Sequence, residues 1–227
     1  MSDLFSVRDK SIVITGGGGV LCSAMAKALG AAGARIAVLD LLEEAAAKVA
    51  DQINADGGRA IAVKCNVLDK ASLEAAKEKV AAEFGRIDVL INGAGGNKKE
   101  ATTSPEMPFF DLPKDAVRFV FDLNCLGTIL PSQVFGKEMA EAGAGTILNV
   151  SSMCAFSPLT KVAAYSAAKA AVSNFTQWLA VHMSQNYSKE IRVNAIAPGF
   201  FLTHQNRFLL IDENTGNLTP RGETIIQ

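Results

Sequence analysis

A chain of 227 residues can form one large α/β domain with a sizeable core, and its 49% hydrophobic content, with only 7% aromatic, is mostly Ala, Val, Ile and Leu, a mixture suited to a helix-covered parallel sheet. A net charge of −1 without a basic run excludes a nucleic-acid footprint. No apolar stretch reaches the length of a membrane span, and residues 1–10 lack the apolar core of a signal peptide, so no membrane association and a cytoplasmic location are expected.

In chain order, short β-branched runs at 11–15, 35–40, 60–65, 89–92, 146–151 and 192–195 read as strands. Ala-rich helical patterns lie between them at 21–32, 42–55, 70–84, 115–142 and 163–187. Gly33, Gly57-Gly58, Gly85 and Gly143 stand where helices should end. Alternation of this kind predicts right-handed βαβ units and a Rossmann-type doubly wound parallel sheet. No repeat or linker interrupts it, so residues 1–227 are expected to form a single dinucleotide-binding domain. Two stretches break the rhythm, 93–114 and the segment from about 198 onward. Loops at the carboxyl ends of strands form the ligand crevice of such sheets, so both are candidate site segments. Cys22, Cys65, Cys125 and Cys154 are scattered, with no Cys-x-x-Cys and no clustered His, which reads as reduced thiols and no metal site.

Thr15-Gly16-Gly17-Gly18-Gly19 follows the first strand and runs into Val20-Leu21 at the start of a helix. Glycines allow the backbone close to a pyrophosphate, and the helix N-terminus offers N–H donors and positive potential. Asp40 closes the second strand, where a carboxylate can accept from ribose hydroxyls and repel a 2′-phosphate. The Gly loop holds no Arg or Lys, and Leu41-Leu42 follow Asp40, so NAD is expected over NADP.

Tyr165 and Lys169 are four residues apart on a helical pattern and share one face. An ammonium beside a phenol should lower its pKa and make Tyr165 a workable acid/base. Ser152 ends a strand at the ligand edge, placed to hydrogen-bond a substrate oxygen that changes charge. Asn124 lies in the preceding helix, where its amide could order a water connecting Lys169 to solvent. The sequence resembles a short-chain dehydrogenase/reductase over nearly its whole length. The resemblance is carried by residues 15–19, Asp40, Asn66-Val67, Asn92-Gly93-Ala94-Gly95, Asn124, Ser151-Ser152, the 165–169 motif and Pro198-Gly199.

That resemblance implies an NAD(P)-dependent oxidoreductase acting on CH–OH, with Asn124, Ser152, Tyr165 and Lys169 as its catalytic tetrad. Ser152, thirteen residues before Tyr165, matches the family's serine, and Ser151 does not. By the same resemblance, Asn66 and Val67 sit against the adenine, and residues 92–95 support the sheet and cofactor. Pro198, Gly199 and Thr203 hold the nicotinamide carboxamide, and dimers or tetramers form through the helices flanking the serine strand. The chain departs from the pattern in two places. Val20 and Cys22 stand where the family's later loop glycines fall, and the chain ends at Gln227, before the family's usual last helix and strand.

Asn97, Lys98, Lys99, Gln205 and Arg207 bring cations and amides to the crevice segments. Such groups suit a carboxylate and hydroxyls, so a hexonate or keto-hexonate substrate is expected, with Asn97, Lys98, Ser152, Gln205 and Arg207 in contact with it. Residues 16–21, 95–97 and 203–207 resemble the D-mannonate oxidoreductase (fructuronate reductase) branch. Gluconate 5-dehydrogenase-like chemistry is the nearest alternative. A catalytically silent NAD-binding regulator is the alternative of another class.

Overall fold

The structure is a computed structural model that describes residues 5–157, 159–199, 207–212, 215–220 and 222–223. Six strands, β1 (Ser11–Thr15), β2 (Arg35–Asp40), β3 (Arg59–Lys64), β4 (Val89–Asn92), β5 (Gly145–Val150) and β6 (Ile191–Ile196), form one sheet in the order β3-β2-β1-β4-β5-β6. Every neighbouring pair is parallel. The connecting helices are α1 (Val20–Ala31), α2 (Glu43–Ala55), α3 (Lys70–Phe84), α4 (Lys114–Phe121), α5 (Gly127–Ala142) and α6 (Ala163–Asn186). This is the Rossmann-type arrangement, and the expected strand boundaries hold to within a residue or so.

Alternation along β1 shows how the core forms. Its five residues are all buried. Val13 joins a cluster with Leu73, Val80 and Phe84 of α3, Phe135 and Met139 of α5, and Leu179 and Met183 of α6. Ile12 and Ile14 join the opposite cluster with Ala26 of α1 and Val49, Ala50 and Ile53 of α2. A strand buried on both faces needs an unbroken apolar run, which Ile12-Val13-Ile14 supplies. Full burial of one such side chain contributes about 1.5–3 kcal/mol.

Where one helix is expected over 115–142, two stand instead, separated by a π-turn at Asp122–Leu126. Pro131 inside α5 has no N–H to offer the Gly127 carbonyl, and its ring crowds that carbonyl. The helix start adjusts by one wide turn. Along the same stretch Thr128 Oγ1 donates to Asn124 O at 2.9 Å and Ser132 Oγ to Thr128 O at 2.7 Å.

The chain divides into two compact units, Met1–Ala197 and Pro198–Gln227. In the second, a short helix α7 (Arg207–Leu210) precedes an antiparallel bridge between Ile211 and Leu218. Thr203 and Gln205 lie outside the described residues. No helix among the described residues is long and apolar enough to cross a membrane. All four cysteines are free and buried.

Candidate active site

The sheet order reverses direction between β1 and β4, and the loops after these strands meet at that switch point. Thr15 ties them together: its Oγ1 accepts from Gly93 N at 3.1 Å and Ala94 N at 3.3 Å. Gly16 has φ +63°, and a Cβ there would stand 2.8 Å from Ala94 Cα, so only glycine fits both the dihedral and the contact. Gly17 N donates to Leu39 O at 3.0 Å and Gly18 N to Asp40 Oδ2 at 3.0 Å. Asp40 Oδ1 accepts from Leu42 N at 3.0 Å. Gly19 caps α1 without any side-chain bond to its first turn, which leaves those donors for an anion. The shallow loop, the uncapped helix start and the carboxylate closing β2 fit a dinucleotide's pyrophosphate and ribose.

Cys22 occupies a close-packed position. A Cβ on Gly93 would overlap its Sγ, so the bare Gly93 makes room for the thiol between helix and strand. Burial pushes that thiol up to about 11. Leu41 is exposed beside Asp40. Asn66 uses its Oδ1 to accept from Leu68 N at 3.0 Å, and Val67 is buried against the backbone side of Gly127.

On the other side of the switch point, Asn92 is buried and donates to Ser132 Oγ at 2.9 Å and to Asn149 Oδ1 at 2.8 Å, joining β4 to α5 and β5. Asn124, in the π-turn, grips the loop after β4. Its Nδ2 donates to Gly96 O at 2.7 Å and Val120 O at 2.8 Å, and its Oδ1 accepts from Gly96 N at 3.2 Å. Both amide hydrogens are therefore taken by backbone carbonyls, and what remains for a water is a lone pair on Oδ1. A Cβ on Gly95 would lie 2.6 Å from Asn124 Oδ1 and 3.3 Å from Lys169 Nζ, so Gly95 lets the two approach the same spot.

Ser152 follows β5 and opens a short 3₁₀ turn, accepting from Cys154 N at 3.3 Å. Tyr165, in the first turn of α6, packs against Ala101, Ala116, Val120 and Ala164. Lys169 is 4% exposed, donates from Nζ to Val150 O at 2.8 Å, and stands 5.6 Å from the Tyr165 ring centroid. Burial lowers the Lys169 ammonium to about 8, with the nearby Cys154 and Cys22 opposing.

The expected depression of the Tyr165 phenol is absent here. Burial first, and Cys154 second, hold it above the ordinary tyrosine value, with the Ser152 hydroxyl opposing. The physical reason is burial of the phenol, and the ammonium expected to oppose it donates instead to a carbonyl. That acceptor, Val150 O, is a backbone atom without a sequence signal.

Among the substrate candidates, Asn97 Nδ2 donates to Thr102 Oγ1 at 2.8 Å, which bends the loop after β4 back on itself. Lys98 Nζ stands 5.3 Å from the Phe119 ring centroid, a cation–π contact on α4. Pro198, Gly199 and Arg207 belong to the second unit, where Arg207 begins α7.

The family model for short chain dehydrogenases matches residues 10–214. An uncharacterized oxidoreductase of Haemophilus influenzae is 50% identical, over 97% of this chain and 80% of its own length. The 5-keto-D-gluconate 5-reductase of Escherichia coli is 33% identical, over 94% of this chain and 80% of its own. A crystal structure from Haemophilus, provisionally assigned as a D-mannonate oxidoreductase and holding NAD, superposes with a TM-score of 0.89 at 50% identity, covering 96% of this chain and 80% of that one. The chain belongs to the short-chain dehydrogenase family, oxidoreductases that act on CH–OH groups with a nicotinamide cofactor.

Proposed function

We propose that this chain interconverts a hexonate alcohol and its ketone with NAD(H), with Asn124, Ser152, Tyr165 and Lys169 as its catalytic group. The observation that carries the reading is convergence. Ser152 follows the end of β5, Tyr165 and Lys169 share a face of α6, and Lys169 Nζ reaches Gly95 beside the Gly loop. A bound nicotinamide supplies a hydride donor or acceptor at this edge. Thr15, Gly16 to Gly19, Val20, Leu21, Asp40, Leu41, Asn66, Val67 and the 92–95 loop would hold it.

In ketone reduction, the Tyr165 hydroxyl gives its proton to the substrate oxygen, and Ser152 donates a hydrogen bond to that oxygen as it gains charge. Lys169, its ammonium lowered to about 8, returns a proton to the phenol. Asn124 fixes the Gly96 backbone and so the loop against which the cofactor rests. NAD is favoured over NADP by the Asp40 carboxylate at the ribose end of the loop.

A sugar acid is supported by the similarity to the 5-keto-D-gluconate reductase and to the NAD-bound Haemophilus protein, and by the cations and amides at Asn97, Lys98, Gln205 and Arg207. Assembly into dimers or tetramers through α5 and α6 belongs to the same proposal. It is supported by Trp178 and Val181 of α6, 57% and 55% exposed. The test is a panel of hexonates and keto-hexonates assayed with NAD(H) and NADP(H). Turnover of a keto-hexonate with NADH is expected, and turnover only of neutral polyols or apolar ketones would overturn the substrate class.

A further inference from the structure

Lys169, Ser173 and Thr176 recur along α6 at spacings of four and three and so share a face. That face meets the end of β5 through directional bonds. Asn149 Nδ2 donates to Thr176 Oγ1 at 2.9 Å, and Lys169 Nζ donates to Val150 O at 2.8 Å. Next along the strand, Ser151 Oγ lies 2.6 Å from Ser173 Oγ, and both hydroxyls reach the Lys169 carbonyl at 3.1 Å.

Two hydroxyl protons serve these three contacts. Either Ser173 donates to the carbonyl and Ser151 donates to Ser173, or the roles reverse. In both arrangements the Lys169 carbonyl keeps one hydroxyl donor. A serine bonding four residues back is ordinary within a helix, whereas the Ser151 contact crosses from strand to helix. It does so at the residue before Ser152 and at Lys169 itself. Apolar packing is non-directional, but this hydroxyl pair, with Ser151 buried and Ser173 part-buried, favours one register because a slip leaves the buried Ser151 without its partner.

We propose that Ser173, acting through Ser151, is a positioning residue that sets the Lys169 ammonium and the Ser152–Tyr165 pair in register. The proposal rests on the catalytic reading of those three side chains. Sequence spacing alone does not reveal it, because it depends on which β5 residue faces which turn of α6.

The test compares Ser173→Ala and Ser173→Thr with wild type and with Tyr165→Phe. Alanine favours helix more than serine, so Ser173→Ala should fold. A cavity of about 310 Å³ bordered by Ser151 and Ser173 leaves room for the extra methyl of threonine. Ser173→Ala should lower kcat on the order of tenfold through misplacement alone, move the pH profile of kcat, and leave NADH affinity and substrate KM near wild type. Ser173→Thr, which restores the hydroxyl, should recover both kcat and profile. Titration of the Lys169 ammonium by nitrogen NMR should show its midpoint lowered in Ser173→Ala, since losing alignment with Val150 O disfavours the charged form. An unmoved midpoint and pH profile in a folded Ser173→Ala would overturn the proposal, whatever happens to kcat. Wild-type turnover by Tyr165→Phe would overturn the catalytic reading instead, and is recognised separately by that control.

Discussion

Asp40 Oδ2 accepts the amide hydrogen of Gly18 at 3.0 Å, while its other oxygen accepts from Leu42 N. On the proposed function, the carboxylate that would meet the ribose therefore also braces the loop that would meet the pyrophosphate. On that reading, discrimination at one end of the cofactor and loop shape at the other would depend on the same side chain.

Asp40→Ala should consequently weaken NAD and NADP together, because the loop loses its brace. Hydrogen bonds to a charged group contribute about 1.5–3 kcal/mol, so NAD affinity should fall roughly 10- to 100-fold. Asp40→Asn can still accept from Gly18 but no longer repels a phosphate. Calorimetric titration should show it moving the NAD-to-NADP ratio toward NADP with a smaller loss of NAD affinity than alanine causes. Equal losses in both variants would separate the carboxylate from the loop.

Lys169 is buried and held near 8, below the ordinary lysine value. Between about 8 and 10.5 the unfolded chain binds the proton that the folded chain has released, so this group makes stability rise with pH across that window. Below it, the folded protein carries the full cost of burying the ammonium. Lys169→Met should therefore abolish turnover yet raise the thermal midpoint at pH 7, the underlying effect being on the order of 3 kcal/mol before the lost bond to Val150 O is counted. In the wild type, alcohol oxidation should rise with pH through the same region and ketone reduction should fall, since oxidation needs an unprotonated acceptor. Calorimetry and a pH–rate profile check both statements.

Gly93 and Cys22 form a complementary pair in which one residue's missing Cβ accommodates the other's sulfur. Gly93→Ala should destabilise the protein by about 1–3 kcal/mol through overpacking. Adding Cys22→Ala should restore part of that loss. Recovery stays partial because Thr15 O would still lie 2.9 Å from the new Cβ. Thermal denaturation of the two single variants and the double variant gives the coupling directly.

These pairs show which parts of the molecule were legible in the sequence. The strand runs, the Gly loop, Asp40 and the Tyr165–Lys169 spacing are local patterns, and a local pattern survives folding. The π-turn at Asp122–Leu126 had a signal in Pro131, but how a helix absorbs a proline depends on the carbonyls and hydroxyls around it. The direction of the Tyr165 shift was not legible, because it depends first on how deeply folding buries the phenol and then on Cys154 beside it. The amide hydrogens of Asn124 went to Gly96 and Val120 for a similar reason: loop and helix meet only in three dimensions.

The substrate's charge can be tested at the two proposed substrate cations, Arg207 and Lys98. If the substrate is a hexonate, Arg207→Ala should lower kcat/KM by roughly one to two decades, the loss of one charge-assisted contact. Arg207→Lys should restore only part, since an ammonium lacks the two-pronged geometry. Lys98→Ala should have a similar effect if Lys98 leaves its place over Phe119 to meet the carboxylate. NADH affinity should be unchanged in all three. A steady-state comparison of a keto-hexonate with its neutral analogue checks this, and equal losses on both substrates would remove the carboxylate assignment.

The most direct measurement follows hydride itself. The protein is incubated with NADH deuterated at C4 of the nicotinamide and with a set of keto-hexonates, and the product is examined by mass spectrometry. Deuterium should appear on the new carbinol carbon of at least one hexonate with the wild type, and the yield should fall by orders of magnitude with Tyr165→Phe although that variant still binds NADH. A folded wild type that binds NADH and transfers label to no keto-hexonate would contradict the account, as would a Tyr165→Phe variant that transfers it as fast as the wild type.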